Sequence, residues 1–459
     1  MSVALRGKKV LVVGLGRSGI AAAQLCAAHG ARVTVTDARA AEALGPGVGG
    51  LPAGVVHELG GHRRETFVAA DVIVLSPGVP EIPELSAARA AGVAITGELE
   101  LASRFVSSTL VAITGTNGKS TTTTLAGEML RATGRPTFVG GNLGEPLAEA
   151  VGTPAAGLDG FAVVEASSFQ LETADTFHPR VAVLLNVTAD HLDRYSGMDA
   201  YAAAKARIFA AQTAHDHAVV NADDPLAMRA SEGFASRRVG FSVTRVLPEG
   251  DHGGYLDGDA LVIALPGADL ERYPALLPGL VGRHNQANTL AALLAARLAG
   301  ATRPQAEAAL RAFRPLAHRM ELVAETGGVG YYDDSKGTNV GAVVAALEGF
   351  PRPVVLIAGG RDKGGDYGPL AEALARVGRA AVLIGEAAEK IQAAFVGRVP
   401  VARANSMESA VSIARSLARP GDAVVLSPAC SSFDMFRDYA HRAEVFRAAV
   451  ARLPAEAGS

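Results

Sequence analysis

Tryptophan is absent from the 459 residues, aromatic residues make up 5% of them, and there are two cysteines, Cys26 and Cys430. The cysteines lie far apart in sequence among apolar or small residues, so neither a disulfide framework nor a cysteine-based metal site is predicted. This cysteine usage fits a reducing compartment, and we therefore expect a cytoplasmic protein. No aromatic-rich or charged surface for a partner stands out, and we expect a monomer.

An excess of positive charge and long apolar runs are also lacking. Lys and Arg number 43 against 46 Asp and Glu, a net charge of -3, which excludes the basic footprint of a general nucleic-acid binder. The run VLVVGLG after Lys8 and Lys9 is interrupted by Arg17, and the Ala-rich stretch 289–300 contains Arg297. We predict no secretory signal, no membrane helix and no nucleic-acid partner, so local groups must hold any anionic ligand.

Hydrophobic residues make up 49% of the chain, and its length predicts about three globular domains. Several short β-branched runs each end on Gly, Asn or Ser before a helix-like segment. Continuous apolar strands that alternate with helices indicate an α/β fold with mainly parallel sheets, whose ligands bind at the carboxyl ends of the strands. The clearest runs are residues 10–14, 72–76, 110–115, 181–186, 354–360 and 423–427.

Two composition changes predict the domain boundaries. The segment GELELASRFVSST at 97–109 separates the first strand–helix series from the strand at 110, and near residue 315 an Ala-rich helical region gives way to turn and strand signals. We therefore predict domains at 1–102, 103–315 and 316–459. Residues 247–280, rich in Gly, Pro and Asp, indicate hairpins or an insertion in the middle domain.

A first glycine loop, GLGRSG, follows the first strand, and the second strand ends at Asp37. Gly14, Gly16 and Gly19 have the spacing that lets a backbone approach a diphosphate at a helix N-terminus, and a carboxylate about 20 residues later can bind a ribose hydroxyl. The motif alone leaves three interpretations open, namely a nucleotide, NAD(P) specifically, or a packing turn without a ligand.

A second loop, GTNGKSTTTT, follows the strand at 110–114. Backbone N–H groups of such a loop bind phosphates, Lys119 can neutralise terminal phosphate charge, and the Ser120 hydroxyl can bind Mg²⁺, so ATP is the predicted ligand. The loop is shorter than the standard GxxxxGK[ST] pattern, because Ile113 stands where the first glycine would be. The alternative is a Gly/Thr turn with a solvated lysine.

Acidic and basic residues follow two further strands. Glu165 ends a run of apolar residues, where a buried carboxylate needs a partner or a metal, so a Mg²⁺ ligand is predicted. Asp190, His191 and Asp193 cluster after the next strand; we interpret the two aspartates as helix caps and leave His191 open between ligand and structural roles. Lys205 alone would be interpreted as a surface lysine.

These motifs together resemble the Mur ligase family of ATP-dependent amide-forming enzymes, through GTNGKST, the Glu165 strand, DHLDRY with Lys205, and GRHNQAN. GLGRSG with TDAR and SPG, EASSFQLE, YYDDSKGTN and LSPACSSFDMF are similar to the members that add D-glutamate to UDP-N-acetylmuramoyl-L-alanine in peptidoglycan synthesis. The resemblance covers nearly the whole chain. It implies a UDP-binding Rossmann-like domain, a central P-loop-type ATPase domain and a Rossmann-like C-terminal domain for the amino acid.

The resemblance also implies contacts for both nucleotides. The contacts of the UDP substrate would be Gly14, Leu15, Asp37, Arg39, Ser76, Gly78 and Asn142. Those of ATP would be Gly115, Thr116, Asn117, Gly118, Lys119, Ser120, Thr121, Asn288, Arg319 and Asp334. Asn288 and Asp334 would contact the nucleoside, and Arg319 the phosphates.

Metal and amino-acid contacts are implied in the same way. Two Mg²⁺ ions would be held by Ser120, Glu165, His191 and Lys205, the lysine as a carbamate, which turns a repelling cation into an anionic ligand. D-glutamate would meet Lys336, Thr338, Lys363, Ser432 and Phe433, although both lysines could also be exposed loop charges. The family has an aromatic residue near the end of the last motif, where this sequence has Tyr439; Tyr439 is not among the predicted contacts.

The implied reaction passes the terminal phosphoryl group of ATP to the alanyl carboxylate, and the amine of D-glutamate then attacks the acyl phosphate. Lys119, Glu165, His191 and Lys205 would form the catalytic set. Three alternatives remain. An NAD-dependent oxidoreductase or sensor would leave GTNGKST without a task, a folylpolyglutamate synthase would not explain the N-terminal motifs, and a non-catalytic binding protein would not need the catalytic set.

Overall fold

The computed structural model describes residues 5–191, 194–248, 251–277, 280, 282–314, 316–348 and 350–453. By internal packing the chain divides into two compact units. Unit 1 comprises Met1–Asn186, Tyr201–Tyr273 and Asn288–Phe313, and unit 2 comprises Val187–Ala200, Pro274–Ala287 and Arg314–Ser459. Within the described ranges, no helix is both long and apolar enough to cross a membrane.

Unit 1 contains two sheets, the first of which is wholly parallel. Its five strands lie in the order β3-β2-β1-β4-β5. The central strand buries four consecutive residues, VLVV, because helices cover both faces of such a sheet. The elements are β1 (Lys9–Val13), α1 (Arg17–Ala28), β2 (Arg32–Asp37), β3 (Val56–Leu59), α2 (Arg64–Ala69), β4 (Val72–Leu75), α3 (Pro83–Ala90) and β5 (Ala94–Gly97).

The second sheet has, in the part of the chain that the structure describes, nine strands in the order β14-β13-β12-β11-β10-β9-β6-β8-β7. Strands β6 to β12 pair in parallel, and β13 returns antiparallel to β12. The strands are β6 (Thr109–Thr114), β7 (Thr137–Gly141), β8 (Phe161–Glu165), β9 (Val181–Leu184), β10 (His217–Asn221), β11 (Arg237–Ser242), β12 (Gly253–Asp257), β13 (Ala260–Ala264) and β14 (Glu271–Pro274).

Among the described residues between the first and the third sheet there are seven α-helices. They are α4 (Glu98–Ser103), α5 (Lys119–Arg131), α6 (Ser168–Leu171), α7 (Met198–Ala206), α8 (Pro225–Ala230), α9 (Arg283–Leu298) and α10 (Arg303–Ala312). Short 3₁₀ helices occur at Ala41–Ala43, Pro46–Gly50, Leu147–Ala150, Pro154–Ala156 and Arg207–Phe209.

Unit 2 is built on a third sheet, in the order β15-β16-β20-β17-β18-β19. All its pairs are parallel except β15 with β16. The elements are β15 (Glu321–Thr326), β16 (Val329–Asp333), α11 (Val340–Leu347), β17 (Val354–Gly359), α12 (Gly368–Val377), β18 (Gly378–Ile384), α13 (Ala388–Phe395), β19 (Val401–Arg403), α14 (Met407–Leu417), β20 (Ala423–Leu426) and α15 (Tyr439–Ala451).

The predicted α/β class is confirmed, with three mainly parallel sheets. Each of the six β-branched runs is a strand within one or two residues of the predicted bounds. The hairpin prediction for 247–280 is also confirmed, because β12 and β13 pair through a short turn. The domain boundaries stay predictions: Ala102 lies within α4, and residue 315 lies outside the described residues.

Candidate active site

A cavity of about 680 Å³ opens in unit 1 at the carboxyl ends of β1, β2 and β4. All seven residues predicted to contact the UDP substrate line it: Gly14, Leu15, Asp37, Arg39, Ser76, Gly78 and Asn142. Their convergence follows from the strand order, since β2, β1 and β4 are neighbours and their loops meet at one edge. Arg17, His62 and Gln170 also line the cavity and were not predicted.

Glycine is required at two positions of GLGRSG. Gly14 has φ +85°, and a Cβ there would lie 2.7 Å from Val79 Cγ2. A Cβ at Gly19 would overlap the Gly14 carbonyl oxygen, which accepts a hydrogen bond from Ser76 Oγ at 2.6 Å. The motif therefore serves both a tight turn and close packing of α1 against the sheet.

Asp37 orients Arg39 at the cavity wall. The Arg39 side chain donates to both carboxylate oxygens, with Nε–Oδ1 and Nη2–Oδ2 distances of 2.9 Å, and Leu15 N donates to Oδ2 at 2.8 Å. The Arg39 hydrogen bond holds the pKa of Asp37 well below its usual range, against the opposing effect of burial. Asp37 is buried while half of the Arg39 side chain is exposed, so Arg39 is the better placed of the two to meet an anionic ligand.

The second glycine loop joins β6 to α5. Gly115 and Gly118 have φ +155° and +85°, and a Cβ at Gly118 would overlap Asn288 Oδ1. Asn186 Oδ1 accepts hydrogen bonds from Thr116 N at 3.1 Å and Asn117 N at 2.8 Å. The loop thus has a fixed shape at the N-terminus of α5, which suits phosphate binding. Asn186 was missed, although its place at the end of a predicted strand was a signal.

Two lysines converge on the carbonyl oxygen of Gly115. Lys119 Nζ donates to it at 2.9 Å and Lys205 Nζ at 2.8 Å, so the two nitrogens lie within about 6 Å of each other. Lys119 Nζ also donates to Thr116 O. Lys205 is 1% exposed, and its Nζ lies 4.4 Å from the centre of the Tyr201 ring. The interpretation of Lys205 as a surface lysine is therefore wrong.

Glu165 ends β8, and its carboxylate is buried. Oε1 accepts a hydrogen bond from Asn142 Nδ2 at 2.7 Å, whereas Oε2 has no hydrogen-bond partner among the residues that the structure describes. A buried carboxylate oxygen without a partner is costly unless a cation meets it, so this group fits a Mg²⁺ ligand. Ser120 and Thr121 are buried in the first turn of α5.

In unit 2, the predicted amino-acid contacts follow three adjacent parallel strands. Lys336 and Thr338 come after β16, Ser432 and Phe433 after β20, and Lys363 after β17. Backbone hydrogen bonds join these loops, from Asp334 N to Leu426 O, from Ala429 N to Gly337 O and from Arg361 N to Ser431 O. The strand order therefore brings all five predicted residues to one edge of the third sheet.

Asp190 is not a helix cap, because α7 begins only at Met198. Its Oδ1 instead accepts a hydrogen bond from Lys363 Nζ at 3.3 Å, and its Oδ2 accepts one from Asn339 Nδ2 at 3.1 Å. His191 N donates to Asp190 Oδ1, and the His191 ring nitrogen Nε2 lies 3.7 Å from Oδ2. Asp190 thus joins two predicted site residues, His191 and Lys363. Asp193 lies outside the described residues.

The aromatic residue beside Lys336 is Tyr439, which was not predicted. Lys336 Nζ lies 5.5 Å from the centre of the Tyr439 ring, within the range of a cation–π contact. Phe433 is 66% exposed, whereas the neighbouring Ser432 is buried. Tyr439 is the first residue of α15, which packs against β16.

Asp334 is buried and accepts a hydrogen bond from Ser427 Oγ at 2.5 Å. Burial raises the pKa of Asp334 to about 7, so its charge changes near neutral pH. Arg319 lies in the same unit, on the turn before β15.

Three family models match the chain in order. The model "Mur ligase MurD-like, N-terminal domain" matches residues 8–97, "Mur ligase middle domain" matches 113–296, and "Mur ligase, glutamate ligase domain" matches 318–430. The three matches fall on the first, second and third sheets.

Curated relatives match over nearly their whole length. The UDP-N-acetylmuramoylalanine–D-glutamate ligase of Syntrophotalea carbinolica is 49% identical over 97% of this chain and 98% of its own. Proteins of the same name from Geotalea daltonii and Anaeromyxobacter dehalogenans are 48% and 49% identical, over 98% and 96% of this chain and 98% and 97% of their own.

Solved structures share the fold at low sequence identity. A pseudomurein peptide ligase type C from Methanothermus fervidus matches with a TM-score of 0.63 at 19% identity, over 98% of this chain and 100% of its own. The MurF ligase from Thermotoga maritima matches with a TM-score of 0.60 at 16% identity, over 98% and 99%. On the evidence of its motifs, its three sheets and these full-length matches, the chain belongs to the Mur ligase family.

Proposed function

We propose that this chain is an ATP-dependent ligase that adds D-glutamate to UDP-N-acetylmuramoyl-L-alanine, with release of ADP and phosphate, in peptidoglycan precursor synthesis. The observation that carries the proposal is the 49% identity, over 97% of the chain, to the UDP-N-acetylmuramoylalanine–D-glutamate ligase of Syntrophotalea carbinolica. The matched region includes all three sheets. The cavity and the second glycine loop would supply the sites for the two nucleotides that this reaction needs.

The UDP substrate would occupy the cavity of unit 1. The diphosphate would lie at the N-terminus of α1, where the first turn contains no acidic residue, and Arg39 would contact the substrate from the cavity wall. Asn142 Nδ2 donates one hydrogen to Glu165, and its second hydrogen would contact the substrate. The remaining contacts are those predicted from the sequence.

ATP would bind with its phosphates on the loop 115–120. The fixed backbone at Thr116 and Asn117, the glycine at 118 and the N-terminus of α5 favour this placement. Lys119 Nζ would exchange its hydrogen bonds to the loop carbonyls for a phosphate oxygen, which carries more charge. Asn288, and in unit 2 Arg319 and Asp334, remain proposed ATP contacts.

Mg²⁺ would be held by Glu165 with Ser120, His191 and carbamylated Lys205, and when bound it would neutralise charge on the transferring phosphoryl group. The role of Glu165 as a Mg²⁺ ligand is supported by its buried Oε2 atom, which has no hydrogen-bond partner among the described residues. For Lys205, support comes from its burial and from the nearby Lys119, since a carbamate would replace the second of two adjacent cations by an anion.

The alanyl carboxylate would attack the terminal phosphorus of ATP, and ADP would leave. The resulting acyl phosphate would be attacked by the amine of D-glutamate after loss of its extra proton, and the tetrahedral intermediate would expel phosphate. Lys336 and Lys363 would bind the two carboxylates of D-glutamate, with Thr338 and Ser432 as hydrogen-bond partners. Asp190 would keep Lys363 and His191 in place through its present contacts.

The test is ADP release, measured for UDP-muramoyl acceptors crossed with a panel of amino acids. We expect release only when UDP-N-acetylmuramoyl-L-alanine and D-glutamate are both present. Release that follows another pair of substrates would contradict the proposal, as would nicotinamide binding in a fluorescence titration.

The domain division at 102 and 315, a monomeric state and a cytoplasmic location remain parts of the proposal. The division is supported by the sheets, whose strands run to Gly97, from Thr109 to Pro274 and from Glu321 onward. The location is supported by the free thiols of Cys26 and Cys430 and by the nucleotide substrates.

A further inference from the structure

Arg319, a proposed contact of the ATP phosphates, lies between two residues in the left-handed backbone region. His318 has φ +64° and Met320 has φ +47°, and neither is glycine. Non-glycine residues adopt this conformation at a cost, and they keep it only where the surrounding structure fixes it. Two such residues on either side of one arginine indicate a turn whose shape is held for a purpose.

The turn is fixed on its His318 side by two carboxylates. His318 N donates to Glu321 Oε2 at 3.1 Å, and His318 Nδ1 lies 2.7 Å from Asp333 Oδ2. The His318 carbonyl oxygen accepts a hydrogen bond from Lys336 N at 3.3 Å. The backbone that carries Arg319 is therefore also attached to the backbone of Lys336.

Asp333 is a firm point of attachment. It is fully buried, and its Oδ1 accepts hydrogen bonds from Ser335 N at 3.0 Å and Ser335 Oγ at 2.6 Å. Burial alone would raise the pKa of Asp333, but hydrogen bonds from His318 and Ser335 outweigh burial and lower it. Asp333 is therefore an anion that requires a cation nearby.

Arg447 of α15 supplies a cation to both carboxylates. Its Nη2 donates to Glu321 Oε2 at 2.5 Å and lies 3.3 Å from Asp333 Oδ2. Within the described part of the chain, His318, Glu321 and Asp333 are the one group with the spacing of metal ligands. Since a guanidinium already bonds the two carboxylates, we interpret the group as an ion-pair cluster rather than a metal site.

We propose that Arg447 is a positioning residue for the ligase reaction: through Glu321 and Asp333 it holds the His318 turn, and thereby fixes the places of Arg319 and Lys336, the proposed contacts of ATP and of D-glutamate. This inference rests on the proposed function, because the roles of Arg319 and Lys336 belong to it. Lys336 is fixed at both ends, by its backbone bond to His318 and by its ammonium group against Tyr439. The ring of Tyr439 also meets His318 edge-on, with ring centres 6.1 Å apart.

The experiment compares Arg447→Met, which keeps the length of the side chain and removes the cation, with Arg447→Lys, which restores it. A matched control is Arg352→Met, whose arginine pairs with Glu325 at 3.4 Å near the opposite end of β15. KM and kcat are measured for ATP, D-glutamate and the UDP substrate, together with the melting temperature of each variant.

We expect Arg447→Met to raise KM for ATP and for D-glutamate about tenfold, because Arg319 and Lys336 would each lose part of a charge-assisted hydrogen bond to substrate, while KM for the UDP substrate stays within about twofold. Arg447→Lys should recover most of the loss, and Arg352→Met should behave like the wild type. Unchanged KM values in Arg447→Met, or an equal rise for all three substrates, would overturn the inference.

If Arg447→Met does not fold, Glu321→Gln gives the same test, since it keeps an oxygen for His318 N and removes the charge that Arg447 meets. We expect the same selective rise in KM, and its absence would overturn the inference. A wild-type protein that releases no ADP with any substrate pair would contradict the proposed function instead. The inference would then be judged by ATP binding in calorimetry, where Arg447→Met should bind about tenfold more weakly and equal binding would overturn it.

Discussion

Replacement of Glu165 by glutamine should separate the stability of this protein from its activity. Glutamine has the shape of glutamate and keeps an oxygen for the 2.7 Å hydrogen bond from Asn142 Nδ2. What it removes is the negative charge at the buried Oε2 position, which no described residue meets with a hydrogen bond. The substitution therefore removes the proposed metal ligand with little change in packing.

The loss of this charge should change both the stability and the activity by measurable amounts. A buried polar group without a partner costs about 1–3 kcal/mol and a charged one costs more, so metal-free Glu165→Gln, whose buried amide is uncharged, should be at least as stable as the wild type. Bound Mg²⁺ at about a hundred times its Kd should stabilise the wild type by about 2.7 kcal/mol, and the variant should lose most of this gain. Metal stabilisation of the transition state is worth several kcal/mol, so ADP release should fall about 10³-fold or more.

The assay is thermal unfolding in EDTA and in Mg²⁺, paired with ADP release under saturating substrates. Glu128→Gln is the matched control, because Glu128 is a partly exposed residue of α5 that pairs with Arg131. The control should show the wild-type response to Mg²⁺ and wild-type turnover. A Glu165→Gln protein with the full Mg²⁺ response or with substantial activity would refute the assignment of Glu165 as a metal ligand.

Three further substitutions test other parts of the account. Lys205→Ala should abolish ADP release, and short carboxylic acids should partly restore it by replacing the carbamate; full activity of the variant would remove that role. Asp37→Asn should raise KM for the UDP substrate about tenfold in steady-state kinetics, because Arg39 loses its two-point ion pair, whereas an unchanged KM would show that Arg39 needs no such support. Burial raises the pKa of Glu98 to about 7, so the stability that protonated Glu98 contributes is complete below about pH 4.5 and is lost as pH rises through 7. In urea titrations, Glu98→Gln should remove up to about 3 kcal/mol of this pH dependence, and an unaltered pH dependence would contradict the assignment.

Local sequence was sufficient for much of the fold and for the nucleotide loops. The strands are continuous apolar runs that end at turn residues. In the two glycine loops, Gly14 and Gly118 have positive φ angles, which residues other than glycine rarely adopt. Neighbouring parallel strands end at one edge, so residues predicted at strand ends, such as Asp37 and Ser76, converge on one cavity.

Contacts between distant parts of the sequence could not be predicted in this way. Asp190 was interpreted as a local cap but accepts a hydrogen bond from Lys363, and Lys205 alone would be interpreted as a surface lysine but is buried against the second glycine loop. Arg447 lies more than a hundred residues from Glu321, and its helix carries no motif that marks it. In each case the contact depends on how distant helices, strands and loops pack together. Local sequence patterns contain no information on that packing.

The most direct test of the account is product analysis by mass spectrometry after incubation with ATP, Mg²⁺ and UDP-N-acetylmuramoyl-L-alanine. With D-glutamate, we predict a product heavier by one glutamyl residue, formed in equal amount to the ADP released. With L-glutamate, we predict neither product nor ADP. Product formation with L-glutamate, or ADP release without a glutamyl product, would contradict the assignment of this chain as the D-glutamate-adding ligase.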